Sequence, residues 1–366
     1  MKTVTKAYIY DEEGNKIFGP GPYRLLCGIM KTGSLKKSAD NMNMSYSKAF
    51  AKIKNAEKAL GYALTTRSIG GKSGGGSVLT PQALKLMKKY EHIIDKSSKL
   101  IIVRGGGDLA TGTIIRLFKS GFRVLVLETK APAAIRRQVS LCEAVFEGET
   151  VVEGVHGILA GNVKQINEAF ASGKIPIVID ENGDYIKKLK PSVVIDAILA
   201  KKNLGTTIDM AGLVIALGPG FEAGVDADYV IETKRGHNLG RIISEGSAIA
   251  NTGIPGIIGG YGKERVIHAA CAGRITNIHA IGDVVKKGEP IAKIINEHNE
   301  VNVEASIDGI IRGLIRDGYE VTEGFKIADI DPRLEELSNC FTISDKSRCI
   351  SGSVLELVCA YERGTL

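Results

Sequence analysis

The sequence predicts a multidomain protein: an α-rich winged helix-turn-helix, then an α/β Rossmann-like body that carries a small all-β unit. Three observations predict it. The first is a charge split, with 18 Lys+Arg against 7 Asp+Glu in residues 1–99 and 30 against 34 in the remainder. The second is an apolar run that enters Gly105-Gly106-Gly107, continues as a helical pattern, and is followed by another apolar run ending at Glu128. The third is a set of residues near the C-terminus that recurs at a constant spacing of 36.

Composition sets the limits. The 366 residues exceed the ~100–200 of a usual domain, so two or three folded units are expected. Hydrophobic and charged contents of 44% and 24% are those of an ordinary globular chain, which excludes disordered and collagen-like classes. No apolar run reaches the roughly 18 residues of a membrane span. The start, MKTVTKAYIYDEEGNK, lacks the apolar core of a signal peptide. The expectation is a cytoplasmic protein with no membrane partner. Cys27, Cys142, Cys271, Cys340, Cys349 and Cys359 form no C-x-x-C pair, so idle thiols are expected and no metal site.

Residues 1–98 form the first expected domain. Ser34 can cap a short helix through Asn41, and Ser45 a longer one in which Ala49, Phe50, Ile53, Ala56 and Leu60 repeat at helical spacing. Ser47, Lys48, Lys52, Asn55 and Lys58 fall on the opposite face, which makes it basic as a recognition helix requires. Leu64–Ile69 and Ser77–Leu79 read as strands around GGKSGGG, a glycine-rich wing where Arg67 and Lys72 are placed to meet phosphates. Pro81 opens a further helix whose Leu84, Met87, Ile93 and Ile94 suit a dimer seam. The DNA-contacting set is therefore Ser45, Tyr46, Ser47, Lys48, Lys52, Arg67 and Lys72. Dimerisation without DNA is the bland alternative.

Residues 99–262 form the α/β body. Leu100–Val103 runs into the three glycines, a helix runs through Lys119, and Arg123–Leu127 follows: the first βαβ of a dinucleotide fold. Glycines permit a tight turn, the helix N-terminus offers amide donors, and Glu128 stands where an acid would hold ribose hydroxyls. Ala110 replaces the third glycine of G-x-G-x-x-G, and Asp108 would either repel a phosphate or serve as a cap, so nucleotide binding stays open. Strands are expected at 175–180, 193–196, 212–220 and 228–233. The turn ETKRGHNLGR gathers Arg235, His237, Asn238 and Arg241 around two glycines and is either an anion site or a basic surface turn. Arg136 and Arg137 in PAAIRRQV are either a solvated helix face, the favoured reading, or a second anion clamp. The candidate cofactor site is thus Arg104, Gly105, Gly106, Gly107, Asp108, Thr111, Gly112, Glu128, Arg235, His237, Asn238 and Arg241. No nucleophile arrangement is readable, which favours a non-enzyme.

Residues 263–332 hold the repeat. Gly273, Ile275, Gly282, Val285, Gly288, Ile291, Ala292 and Ile294 return as Gly309, Ile311, Gly318, Val321, Gly324, Ile327, Ala328 and Ile330. This implies a pseudo-symmetric β sandwich and resembles the biotinyl/lipoyl-type barrel-sandwich hybrid. The link NEHNEVNVE lacks the lysine of those carriers, so no covalent biotin or lipoate is expected. Residues 333–366 are expected to pack on the α/β body.

Two resemblances follow from these motifs. G-S-L-K-K-S-A, S-Y-S-K-A and T-T-R-S-I-G-G-K-S-G-G-G-S-V-L-T, within Gly33–His92, resemble the N-terminal DNA-binding domain of ModE molybdate-responsive repressors. The S-A-R-N-type motif of ModE sensing domains does not occur. From Lys99 to Ala360, I-I-V-R-G-G-G-D-L-A-T-G, A-I-R-R, L-G-P-G-F-E-A-G-V-D, I-E-T-K-R-G-H-N-L-G-R, N-T-G-I-P-G and C-F-T-I-S-D-K-S-R-C-I-S-G-S-V-L-E resemble YqeB-like accessory proteins of selenium-dependent molybdenum hydroxylase systems. The glycine turn also resembles that of XdhC-type factors. These resemblances imply a homodimeric regulator of molybdenum metabolism that binds double-stranded DNA and senses a nucleotide-bearing small molecule, such as a dinucleotide or molybdenum cofactor. The alternative is a maturation factor that delivers such a cofactor to a molybdenum hydroxylase. A nicotinamide-dependent oxidoreductase ranks last, for want of a proton donor.

Overall fold

A computed structural model describes residues 7–11, 13–68, 76–250, 253, 256–297 and 299–366, with the backbone alone at 67–68 and 91–98. The chain divides into two units, Met1–Lys99 and Leu100–Leu366. In the first, a hairpin of β1 (Ile9–Tyr10) and β2 (Lys16–Phe18) leads into α1 (Pro20–Thr32), an element the sequence pattern leaves unplaced. Pro20 suits its first turn, where an N–H would lack a helical partner. Two helices follow: α2 (Leu35–Asp40), capped by Ser34, and α3 (Tyr46–Leu60), capped by Ser45. A Cβ at Gly28 would overlap Ser38 Oγ, so α1 and α2 cross closely because that position is bare. Strands β3 (Thr65–Ser68) and β4 (Gly76–Leu79) pair antiparallel, and α4 (Pro81–Ser98) starts under a Thr80 cap.

Ala49, Ile53 and Ala56 are buried on α3, as their spacing requires, with Leu25, Ile29, Leu64 and Tyr90. Glu57 is buried beside them; its Oε1 accepts from Leu64 N at 2.8 Å and Thr65 N at 3.1 Å, tying α3 to β3. The dimer seam needs correction. Met87 lies in this unit's own core, leaving Leu84 exposed, and Ile93 and Ile94 lie outside the described side chains.

The second unit is built on a nine-stranded sheet. Its strands are β5 (Leu100–Arg104), β6 (Arg123–Glu128), β7 (Glu149–Val152), β8 (Val155–Leu159), β9 (Ile175–Ile179), β10 (Val193–Asp196), β11 (Leu213–Leu217), Tyr229–Ile231 and Ile242–Ile243. Across the sheet they run 242–243, 229–231, β11, β10, β5, β6, β9, β8, β7, parallel except for the two outermost pairs. Alternation splits each strand between two cores: Ile101 and Val103 face one side, Ile102 the other. Both faces are covered, which is why these strands read as unbroken apolar runs. On the first face, α5 (Asp108–Lys119) packs against a helix at Asp345–Arg363. Gly112 makes this contact possible, because a Cβ there would overlap Ser347 Oγ.

After β6 the chain builds one side of the sheet, then β10 returns to the other side of β5. This reversal opens a crevice beyond the carboxyl ends of β5 and β10.

The 36-residue repeat forms two four-stranded sheets around one core. Strands at 266–268, 273–277, 284–285 and 290–295 are answered by 300–304, 309–314, 320–321 and 326–331, and each sheet takes two strands from each copy. The pairing Gly273↔Val321 has the counterpart Gly309↔Val285, and Ile275↔Ile294 has Ile311↔Ile330. Symmetry reaches further back than the matched residues: Val266↔Asp329 corresponds to Asn302↔Lys293. The first strand of each copy was not legible as part of the repeat because its residue types differ while its backbone pairing does not.

Candidate functional site

The three glycines have three different reasons to exist. Gly105 has φ 93°, and a Cβ would stand 2.9 Å from Ala197 O and 3.0 Å from Ile198 Cα, so the crossover after β10 requires glycine there. At Gly106 a Cβ would press on Cys142 N at 3.1 Å, and its carbonyl accepts from that same N–H at 2.9 Å. Gly107 has φ −67°, and a Cβ would meet nothing within 4 Å. Only the third is bare without a packing reason.

Glu128 holds this turn from the next strand. Its Oε2 accepts from Gly106 N at 2.7 Å and its Oε1 from Thr129 N at 2.8 Å, while burial pushes its carboxyl above the usual range. Several expected ligand residues turn out to be braces. Arg104 is buried, donating to Asp196, Thr206 and the Leu204 carbonyl. Thr111 is buried, its hydroxyl donating to Gly106 O and accepting from Leu141 N. Gly112 serves the helix contact described above. These three are corrected to structural roles, because each is satisfied inside the fold. Asp108 is not the cap, a position held by Gly107; it opens α5 with Oδ2 at 3.5 Å from Arg136 Nη1.

A cleft of about 720 Å³ lies at the strand reversal, between the glycine turn, the segment 131–136, residues 197–199 and the β sandwich. Six cations line it, Arg136, Arg235, Arg265, Arg312, Lys326 and Lys346, against the carboxylates of Asp108, Glu128 and Asp329. Arg265 is buried on Asp329 at 2.8 Å, and Arg312 stands 3.5 Å from the same carboxylate. Arg136 is buried; its Nη2 donates to the carbonyls of Asn339 and Thr342, and its Nε has no partner. Desolvation by the cleft walls pushes the amines of Lys346, half-buried, and Lys326, still exposed, below the ordinary lysine range.

Among the ETKRGHNLGR residues, Arg235 reaches the cleft but is held by Asp345 at 2.6 and 2.8 Å, which drives that carboxyl far down. His237, Asn238 and Arg241 are exposed and do not line the cleft. Of the second clamp, Arg136 lines it, whereas Arg137 donates to Leu314 O instead. Arg265, Arg312, Lys326, Asp329 and Lys346 had not been singled out. The signal that could have found the middle three is that the second repeat carries charge where the first has Thr276, Pro290 and Lys293 of opposite sign or none.

In the first unit, Tyr46, Ser47 and Lys48 are exposed at the start of α3, with Tyr46 stacked on Phe50 at 6.1 Å. Ser45 is the cap itself, accepting from Lys48 N. Lys52 is half-buried, its amine 3.8 Å from where Gly21 would carry a Cβ. The side chain of Arg67, and Lys72 entirely, lie outside the described residues. Among the described residues no group of three His, Cys, Asp or Glu is placed to hold a metal ion, and no helix is long and apolar enough to cross a membrane.

No family model matches the chain. It is 46% identical over 271 residues to the uncharacterized protein YqeB of Escherichia coli K12, covering 74% of this chain and 49% of that one. It is 36% identical over 77 residues to the molybdenum-pterin-binding protein MopB of Rhodobacter capsulatus, 21% of this chain and 28% of that. The transcriptional regulator ModE of Haemophilus influenzae is 36% identical over 72 residues, 20% of this chain and 28% of that. The chain thus spans about half the length of YqeB and just over a quarter of the other two. Among solved structures, an aspartoacylase family protein of Mesorhizobium loti aligns over 63% of this chain and 84% of its own at 8% identity, with a TM-score of 0.21 that carries no argument.

Proposed function

We propose that this protein is a cytoplasmic, homodimeric DNA-binding regulator of molybdenum metabolism whose second unit senses a nucleotide-bearing ligand. The first unit works as a winged helix, with α3 as the recognition helix and the β3–β4 hairpin as the wing. The observation that carries the reading is the start of α3: Tyr46, Ser47 and Lys48 face solvent in a unit with 18 basic and 7 acidic residues, and Lys48 has no ion-pair partner among the described residues. A surface of that charge attracts DNA phosphates, and an exposed helix end can enter a major groove. The partial similarity to ModE and MopB supports the link to molybdenum.

The cleft supports a second reading, in which the second unit carries a nucleotide or molybdenum cofactor to a selenium-dependent molybdenum hydroxylase. Fluorescence anisotropy on DNA from the protein's own upstream region separates the two. The regulator should bind in a sequence-specific way, with a steep salt dependence, and respond to one of molybdate, a nicotinamide or cytidine nucleotide, or molybdenum cofactor. Lys48→Glu should weaken binding at least about tenfold. Weak binding that ignores sequence, ligand and this substitution would leave the delivery factor as the better reading.

A further inference from the structure

The two copies of the repeat share most of their backbone pairing but not a chemistry, and the difference points at the cleft. The second copy carries Arg312, Lys326 and Asp329 where the 36-residue offset gives Thr276, Pro290 and Lys293 in the first. A bulge between Ile311 and Gly313 takes Arg312 out of the pairing that Thr276 keeps with Lys293. All three of the second copy's residues line the cleft, and none of their counterparts does. Asp329 is already paired with Arg265 and Arg312. The side chain of Lys326, which is exposed, has no hydrogen-bond or ion-pair partner among the described residues, and neither does that of Lys346, which lines the same cleft.

Lys346 is also misplaced for stability. It sits in the first turn of the helix at Asp345–Arg363, at the positive end of the helix dipole, where an acid would be favoured. A lysine kept there, half-buried and unpaired, makes sense when something negative arrives. The Nε of Arg136, nine-tenths buried on the same wall, is likewise unpartnered. Gly107, which lines the same cleft, leaves open space that no packing contact requires.

We infer that the second copy of the repeat is one wall of a binding site for a multiply charged phosphoryl anion, held between Lys326 of the sandwich and Lys346 of the C-terminal helix, with its remaining oxygens in the space over Gly107. The site deepens the sensing role proposed above and rests on it. It differs from the anion site expected at Arg235–Arg241, because Arg235 is already neutralised by Asp345. The anion is the pyrophosphate of a nucleotide or a free polyphosphate; both offer phosphoryl oxygens to the same amines.

Calorimetric titration of the full chain with inorganic pyrophosphate and with cytidine 5′-diphosphate tests this. Lys326→Gln/Lys346→Gln should bind either anion at least about tenfold more weakly, since two charge-assisted contacts are lost. Its thermal unfolding should be no lower than that of the wild type, because neither amine has a partner to lose and Lys346 gives up an unfavourable charge at the positive end of its helix. Gly107→Leu, tolerated at φ −67°, should obstruct the site as well. Lys293→Gln, on the first copy, should bind as the wild type does. Whichever anion binds more tightly identifies the source. Equal affinity in wild type and double variant, or no binding of either anion at about 1 mM, overturns the site. The regulatory reading fails separately: lysine-dependent anion binding with DNA affinity indifferent to all ligands keeps the site and removes the sensor. A DNA response to ligand that survives the double substitution keeps the sensor and removes the site.

Discussion

The two copies of the 36-residue repeat make a controlled comparison within one chain. Their strand pairings agree except at a bulge between Ile311 and Gly313 that the first copy lacks. Gly273 and Gly309, at φ 157° and 156°, aim their would-be Cβ atoms at the carbonyls of Ile295 and Asp331, themselves counterparts. What the backbone requires is duplicated. What the side chains do is not: the first copy faces outward with Lys293 paired to Glu300, and the second lines a cleft with a buried Arg265–Asp329 pair. The comparison separates residues kept for folding from residues placed for chemistry.

The largest effect should come from breaking the asymmetric part. Asp329→Ala leaves the buried Arg265 guanidinium with carbonyl acceptors but no charge partner, at a cost of about 3–5 kcal/mol. The counterpart Lys293→Ala removes only an exposed pair, worth less than about 1 kcal/mol. Denaturant unfolding of both variants measures the gap, and equal losses would mean the charge difference between copies is incidental. The symmetric part comes next. Gly273→Ala and Gly309→Ala should each destabilise by about 2–4 kcal/mol, through backbone strain and overlap with a strand carbonyl. If one is neutral, the pseudo-symmetry is not a backbone requirement.

The smallest effect is a pH dependence confined to the second copy's side. The pKa values of Lys326, which stays exposed, and Lys346 are lowered first by desolvation in the cleft. Asp329 and Asp108 pull the former the other way, and Asp108, Glu232 and Asp345 the latter. The anion binds the charged forms. Affinity is therefore fully present below the pKa values in the empty cleft and lost as pH rises through them. Its decline should begin below the ~10.4 of an ordinary lysine. Titrations of pyrophosphate across alkaline pH check this; a decline that begins only above that value would remove these two amines from the site.

Much of the architecture was legible because its causes are local. Caps at Ser34, Ser45 and Thr80, the period of Ala49, Ile53 and Ala56, and the unbroken apolar runs of β5 and β6 each follow from a few neighbouring residues. The α1 helix was not legible: GPGPYRLLCGIM starts with glycine and proline, and its packing on α2 depends on the bare Gly28 meeting Ser38. Gly105, Gly107 and Arg136, expected from sequence to meet a ligand, line the cleft, whereas Arg104, Thr111 and Gly112, expected there too, are satisfied inside the fold. A motif gives the spacing of such residues along the chain but not which neighbour will satisfy them.

The sequence by itself determined the charged N-terminal unit, the βαβ with its glycine turn and the repeat, because helix periodicity, strand hydrophobicity and glycine turns act over a few residues. Only the tertiary structure decided which glycine is free and which basic residues meet. Gly105 is required by a carbonyl about ninety residues away, and Lys326 and Lys346 come together because the β10 crossover and the interleaved sheets bring their elements to one cleft. Those partners are set by long-range closure of the chain, which no local pattern encodes.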